Sequence, residues 1–134
     1  MGNYDAVVTA IRAKDSVALR ASLTSAAQVP VPVLCELLME QWHDLHEDIV
    51  FELGLIGDSA AVDTIRRAAS VPFESLVKWD NLAEFQRKCT YALARIASDE
   101  SRQALESLAE SDDPQLREYA VEGLAHWPLP YRKR

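Results

Sequence analysis

A chain of 134 residues is long enough for one domain with one core. Its 49% apolar and 26% charged residues are those of a globular protein and exclude the disordered class. Lys plus Arg is 14 against 21 for Asp plus Glu, a net charge of −7 unlike the basic balance of a general nucleic-acid binder, and no apolar run approaches the ~20 residues that span a bilayer.

The start, MGNYDAVVTAIRAKD, lacks the basic and apolar regions of a secretory signal, and Ala6 stands where a myristoylation pattern wants Ser or Thr. The expected compartment is therefore cytoplasmic. There Cys35 and Cys89, each on the apolar side of a helix, stay buried and reduced.

Apolar spacing predicts helices throughout. The first runs from Tyr4 to Ala13, with Val7, Val8 and Ile11 on one face. Asp15 caps a second that reaches about Ser25, with Val17, Leu19 and Leu23 inward. After the stiff stretch Gln28 to Pro32, a third helix extends to about Trp42. The fourth runs from about Asp44 to Leu55, burying Leu45, Ile49, Leu53 and Ile56, and Gly57 stops it. Asp58 or Ser59 caps a fifth helix that ends near Ala69, and residues 70–80 read as an irregular loop. Asn81 and Glu84 form a capping box for the sixth helix, which carries Phe85, Cys89, Leu93 and Ile96. Asp99 caps the seventh, and Asp113-Pro114 starts the eighth, which buries Leu116, Ala120 and Leu124.

The pattern repeats. A shift of 40 residues lays Leu45 on Phe85, Ile49 on Cys89, Leu53 on Leu93, Ile56 on Ile96, Ile65 on Leu105 and Ala69 on Ala109. A further shift of 31 lays Phe85 on Leu116, Cys89 on Ala120 and Leu93 on Leu124. Each unit is a helical hairpin that buries its apolar stripe by stacking on the next.

The segment DPQLREYAVEGL, with Asp113, Leu116, Arg117, Ala120, Gly123 and Leu124 in the pattern's places, resembles the first helix of a HEAT repeat. ELGLIGDSAAVDTI and ALARIASDESRQAL are similar to its turn and second helix. The likeness covers residues 45–127; residues 1–44 are expected to form a helical cap with a divergent repeat, and 128–134 a basic tail. The resemblance implies an all-α fold: a short right-handed solenoid of about eight helices in a single domain. Trp127 and Tyr131 would cover its last helix. In two repeats the usual Arg, which ties to a loop Asp, is replaced by His46 and by Gln86.

The densest polar segment is WHDLHEDIVFE. His43, His46 and Glu47 share one face if the segment is helical, at a spacing that suits a metal, although no third His or Cys ligand follows nearby. The competing reading is a helix start, with Asp44, Glu47 and Asp48 at the positive end of the dipole and His46 as a local hydrogen-bond donor. A third is a partner-binding ridge of Trp42, His43, Asp44, His46, Glu47 and Asp48, joined by Phe73, Trp79 and Asp80 from the 70–80 loop. Phe73 and Trp79 have a structural alternative, packing over the gap between repeats. His126 reads as structural.

No GxSxG, P-loop, GxGxxG or CxxC is present, and acidic pairs fall at helix starts. Arg66, Arg67 and Arg102 are offset by acidic neighbours, among them Asp63 and Glu106, so no phosphate groove is expected. The chain reads as a non-enzymatic protein-binding module, monomeric and without a cofactor. Its acidity favours a basic partner. Trp42 to Asp48 also resembles the Trp-His-x-x-His-Glu-Asp start of small bacterial HEAT-like immunity proteins of polymorphic toxin systems. That likeness implies an antitoxin that occludes a basic, nuclease-type toxin. The alternatives are a general adaptor or regulatory scaffold and, from another class, a metal-dependent or pigment-lyase-like enzyme.

Overall fold

A computed structural model of the chain describes residues 5–23 and 29–129. Tyr4, Ser25, Gln28 and Tyr131 lie outside the described residues. Within them the fold is all helical, with nine α-helices, one short 3-10 turn and no strand.

Helix α1 (Asp5–Ala13) ends at Lys14, whose φ of 51° turns the chain back so that the Asp15 N–H donates to the Ala10 carbonyl at 2.9 Å. The Asp15 carboxylate then accepts from Ala18 N at 3.1 Å and caps α2 (Ser16–Ser22). Leu19 is the buried contact of that helix; Val17, expected inward, is 79% exposed.

Helix α3 (Val31–Leu38) carries its proline in the first turn, where no N–H is missed. It ends four residues before Trp42, the expected terminus. Two imidazoles account for this early end: His43 Nε2 donates to Leu37 O at 2.7 Å and His46 Nε2 to Glu40 O at 2.6 Å. Side chains thus satisfy carbonyls that a further helical turn would have bonded. Helix α4 (His46–Ile56) consequently starts at His46 rather than Asp44, with Leu45 at the N-cap.

Gly57 closes α4 in the left-handed conformation (φ 76°), and Asp58 caps the 3-10 turn Ser59–Ala61 that leads into α5 (Val62–Ala68). The segment expected to be irregular contains α6 (Glu74–Lys78), pinned by buried Phe73 and Leu76. The Asn81–Glu84 capping box does not form. Asp80 (φ 60°) turns the chain so tightly that Asn81 N–H reaches Leu76 O at 2.8 Å, which leaves Asn81 near-helical with no side-chain cap for α7 (Leu82–Ile96). The cap of α8 (Asp99–Leu108) is Ser98 rather than Asp99, in a reciprocal box with Ser101. Asp113 caps α9 (Pro114–Ala125) as expected.

Helix α7 is the central element. It packs against α4 on one side and α9 on the other, while α5 and α8 pack together and onto it. Leu45, Ile49 and Leu53 are buried, as are Phe85, Cys89, Leu93, Leu116 and Ala120, so the repeated positions of the sequence are core positions. Three repeated positions depart from this: Ala109 and Leu124, the latter expected inside, are only partly buried, and Ile56 is 39% exposed where Ile96 is buried. At Gly54 an added Cβ would stand 3.0 Å from Ala92 Cβ, which shows how closely α4 approaches α7. Trp127 packs on the core with Nε1 donating to Ser101 Oγ at 3.1 Å. Both cysteines are free; Cys89 is buried, Cys35 only partly. No helix among the described residues is long and apolar enough to cross a membrane.

Candidate functional site

The residues singled out in the sequence divide into a buried set and an exposed set. His43, His46 and Phe73 belong to the core, each 2% exposed or less. Burial removes them as exposed contacts, which corrects their expected place on a binding ridge, although the His43 ring still forms part of the wall of the cleft described below. Their rings form a stack: His43 lies 4.3 Å from His46 and His46 lies 4.1 Å from Phe73, with Phe85 edge-on to both His46 and Phe73. Trp42 meets His43 edge-on at 5.1 Å.

The backbone fixes the protonation of both histidines. A carbonyl only accepts, so each Nε2 carries its hydrogen. His43 Nδ1 accepts from Leu45 N–H at 3.0 Å, and a proton there would break that bond. His46 Nδ1 is buried and faces no hydrogen-bond partner. Burial, and then the neighbouring His43, pushes His46 down to about 4; burial also lowers His43. Both are neutral imidazoles at pH 7.

This geometry dismantles the metal reading. His43 is off the helix, both Nε2 atoms bond backbone carbonyls, and Glu47 turns to Lys88 at 3.2 Å. No group of three or more His, Cys, Asp or Glu that could hold a metal occurs among the described residues. His46 instead does what the local-donor reading expected.

Of the remaining residues, three are brought together. Trp42 and Asp44 line an open cleft of about 300 Å³ with Trp79 and three residues that went unnoticed in the sequence: Gln41, Glu74 and Lys78. Gln41 Oε1 accepts from Glu74 N at 3.1 Å and ties the 39–45 connection to α6. Arg20 on α2 holds Asp44 at 2.7 Å. Trp79 is 67% exposed, with the Lys78 ammonium 5.5 Å from its ring centre. Asp48 and Asp80 are exposed but outside the cleft lining, and Asp48 borders a different, smaller pocket with Leu23, Leu34 and Glu52. The cleft was hard to read because its Glu74 and Lys78 sit on a helix too short to show a period.

A second groove, about 240 Å³, lies between α4 and α7. Phe51, half exposed, and Tyr91 form its apolar part, under Arg87, Lys88 and Arg95. Its cations are engaged: Arg87 with Glu122 at 3.0 Å, Lys88 with Glu47, and Arg95 over the Phe51 ring. The signal for it was Phe51, a large aromatic standing off the buried 45/49/53 stripe. On the α5–α8 side, Asp63 binds Arg66 and Arg67, and Glu106 binds Arg102. His126 is exposed beside Tyr91.

Compared with family models, with curated proteins and with solved structures, the chain matches none.

Proposed function

We propose that this chain is a protein-binding module of stacked HEAT-like hairpins that neutralises a basic, nuclease-type toxin by covering its active site, as an immunity protein does. The observation that carries this reading is the convergence of two segments, 41–44 and 74–79, on one cleft bordered by an exposed tryptophan in a chain of net charge −7. An exposed aromatic anchor beside a cleft suits a partner interface, and the acidic field speeds capture of a basic surface. The shared register of the hairpins supports the repeat assignment: Gly57 and Ala97, 40 residues apart, both turn with positive φ, followed in each case by a capping side chain at Asp58 or Ser98. The reaction chemistry belongs to the partner; this chain supplies shape and charge.

The test is capture of the partner from the source cell, followed by assay of its nuclease activity with and without this chain. The reading expects a basic partner, stoichiometric inhibition, and association that slows several-fold when Asp44, Asp48 and Glu74 are neutralised together at low salt. A partner without toxic activity, bound at the α4–α7 groove, would favour the adaptor reading instead; the half-exposed Phe51 is the feature that keeps it in view.

A further inference from the structure

We propose that the cleft between the 39–45 connection and α6 is the receptor for a single arginine or lysine side chain of the protein partner. The inference rests on the protein-binding reading and deepens it by naming what the cleft takes. Three observations point to a cation. Two indoles contribute to its walls, among polar residues: Trp42, half buried and held by its Nε1 bond to Glu40, and Trp79, exposed to solvent. Indole faces attract cations more strongly than other aromatic faces. Trp79 already does so within the chain, since Lys78 lies 5.5 Å from its ring centre.

The second observation is charge. The lining carries two carboxylates, Asp44 and Glu74, against one ammonium, Lys78. Asp44 Oδ1 is engaged by Arg20, whereas Glu74 makes no ion pair with any described residue. An arriving guanidinium can stack on indole and hydrogen-bond to Glu74, displacing only the flexible Lys78. The third is rigidity. Trp42 leans edge-on against His43, which two backbone bonds fix in place, and Gln41 clamps the start of α6. Much of the ordering that binding requires is thus done in advance.

The experiment titrates the full chain with an acetylated tetra-arginine peptide and with its tetra-citrulline counterpart, which has similar shape and no charge. The indole N–H resonances are the readout. The proposal expects Trp42 and Trp79 to shift saturably with the arginine peptide while Trp127, bonded to Ser101 elsewhere, does not. Trp79→Ala and Glu74→Gln, both at exposed positions that leave the core intact, should each weaken binding by about 5-fold. Equal response to the citrulline peptide, equal shifts at Trp127, or unchanged affinity in both variants would overturn it. So would tetramethylammonium binding as tightly as the peptide, which would assign the cleft to a small cation. These outcomes are separate from the toxin assay: an arginine response without toxin inhibition removes the immunity reading alone, and inhibition without an arginine response removes this one alone.

Discussion

The α4–α5 and α7–α8 segments, whose buried positions recur 40 residues apart, meet one requirement by different chemistry. At their equivalent positions stand His46 and Gln86, both buried. His46 donates to Glu40 O in the segment before it; Gln86 Nε2 donates to Ala69 O at 3.5 Å and, at 3.0 Å, to Asp113 Oδ2 in the loop after α8. In α9, 31 residues on from Gln86, Arg117 donates to Ser111 O at 2.7 Å. The difference teaches that this position calls for a donor reaching a loop rather than for a particular residue. Imidazole adds a consequence the amide lacks, because it titrates.

Breaking the His46 side of the comparison gives the largest effect. His46→Ala removes a ring stacked between His43 and Phe73 and leaves the Glu40 carbonyl without its imidazole donor. Urea denaturation should report a loss of about 3 kcal/mol.

Acid sharpens the same contrast. His46 titrates at about 4 in the folded chain and at 6.5 when unfolded, so between those values the unfolded state binds more protons. Its stability contribution is complete above 6.5 and is lost as pH falls toward 4, by ~3 kcal/mol in all. His43, also lowered, adds loss in the same direction. In His46→Gln, which copies the α7 solution, urea midpoints measured from pH 7 down to pH 4.5 should fall less steeply than in the parent.

Gln86→Ala leaves the Asp113 link unmade and should cost about 1–2 kcal/mol in the same denaturation assay. The smallest effects belong to the paired turns. Ala97 holds φ 58° where Gly57 holds φ 76°. Ala97→Gly should raise the thermal midpoint, for about 0.5–1 kcal/mol of relieved strain, and Gly57→Ala should lower it by a similar amount.

The helical fold was legible because its core positions recur: Leu45, Ile49 and Leu53 are repeated in Phe85, Cys89 and Leu93, and all six are buried. Local caps such as Asp15, Asp58 and Asp113 were legible because a cap acts over three residues. The 39–45 connection was not. Its helical pattern runs on through Trp42, and only the tertiary bonds of His43 and His46 to Leu37 and Glu40 break it. Those bonds turn two histidines from apparent ligands into core struts. Phe73 was ambiguous for a related reason: the pocket it fills is built by residues distant in the chain, His46 and Phe85. Trp42, Asp44 and Trp79 were picked out for their chemistry, while the cleft that joins them depends on the Gln41–Glu74 bond, which spans 33 residues.

Hydrogen–deuterium exchange of the chain, alone and saturated with its captured basic partner, tests most directly whether the cleft is the binding surface. The account predicts that new protection concentrates on residues 41–45 and 74–80, around Trp42 and Trp79. Protection confined to the α4–α7 groove at Phe51 and Tyr91, or to the outer faces of α5 and α8, would contradict it.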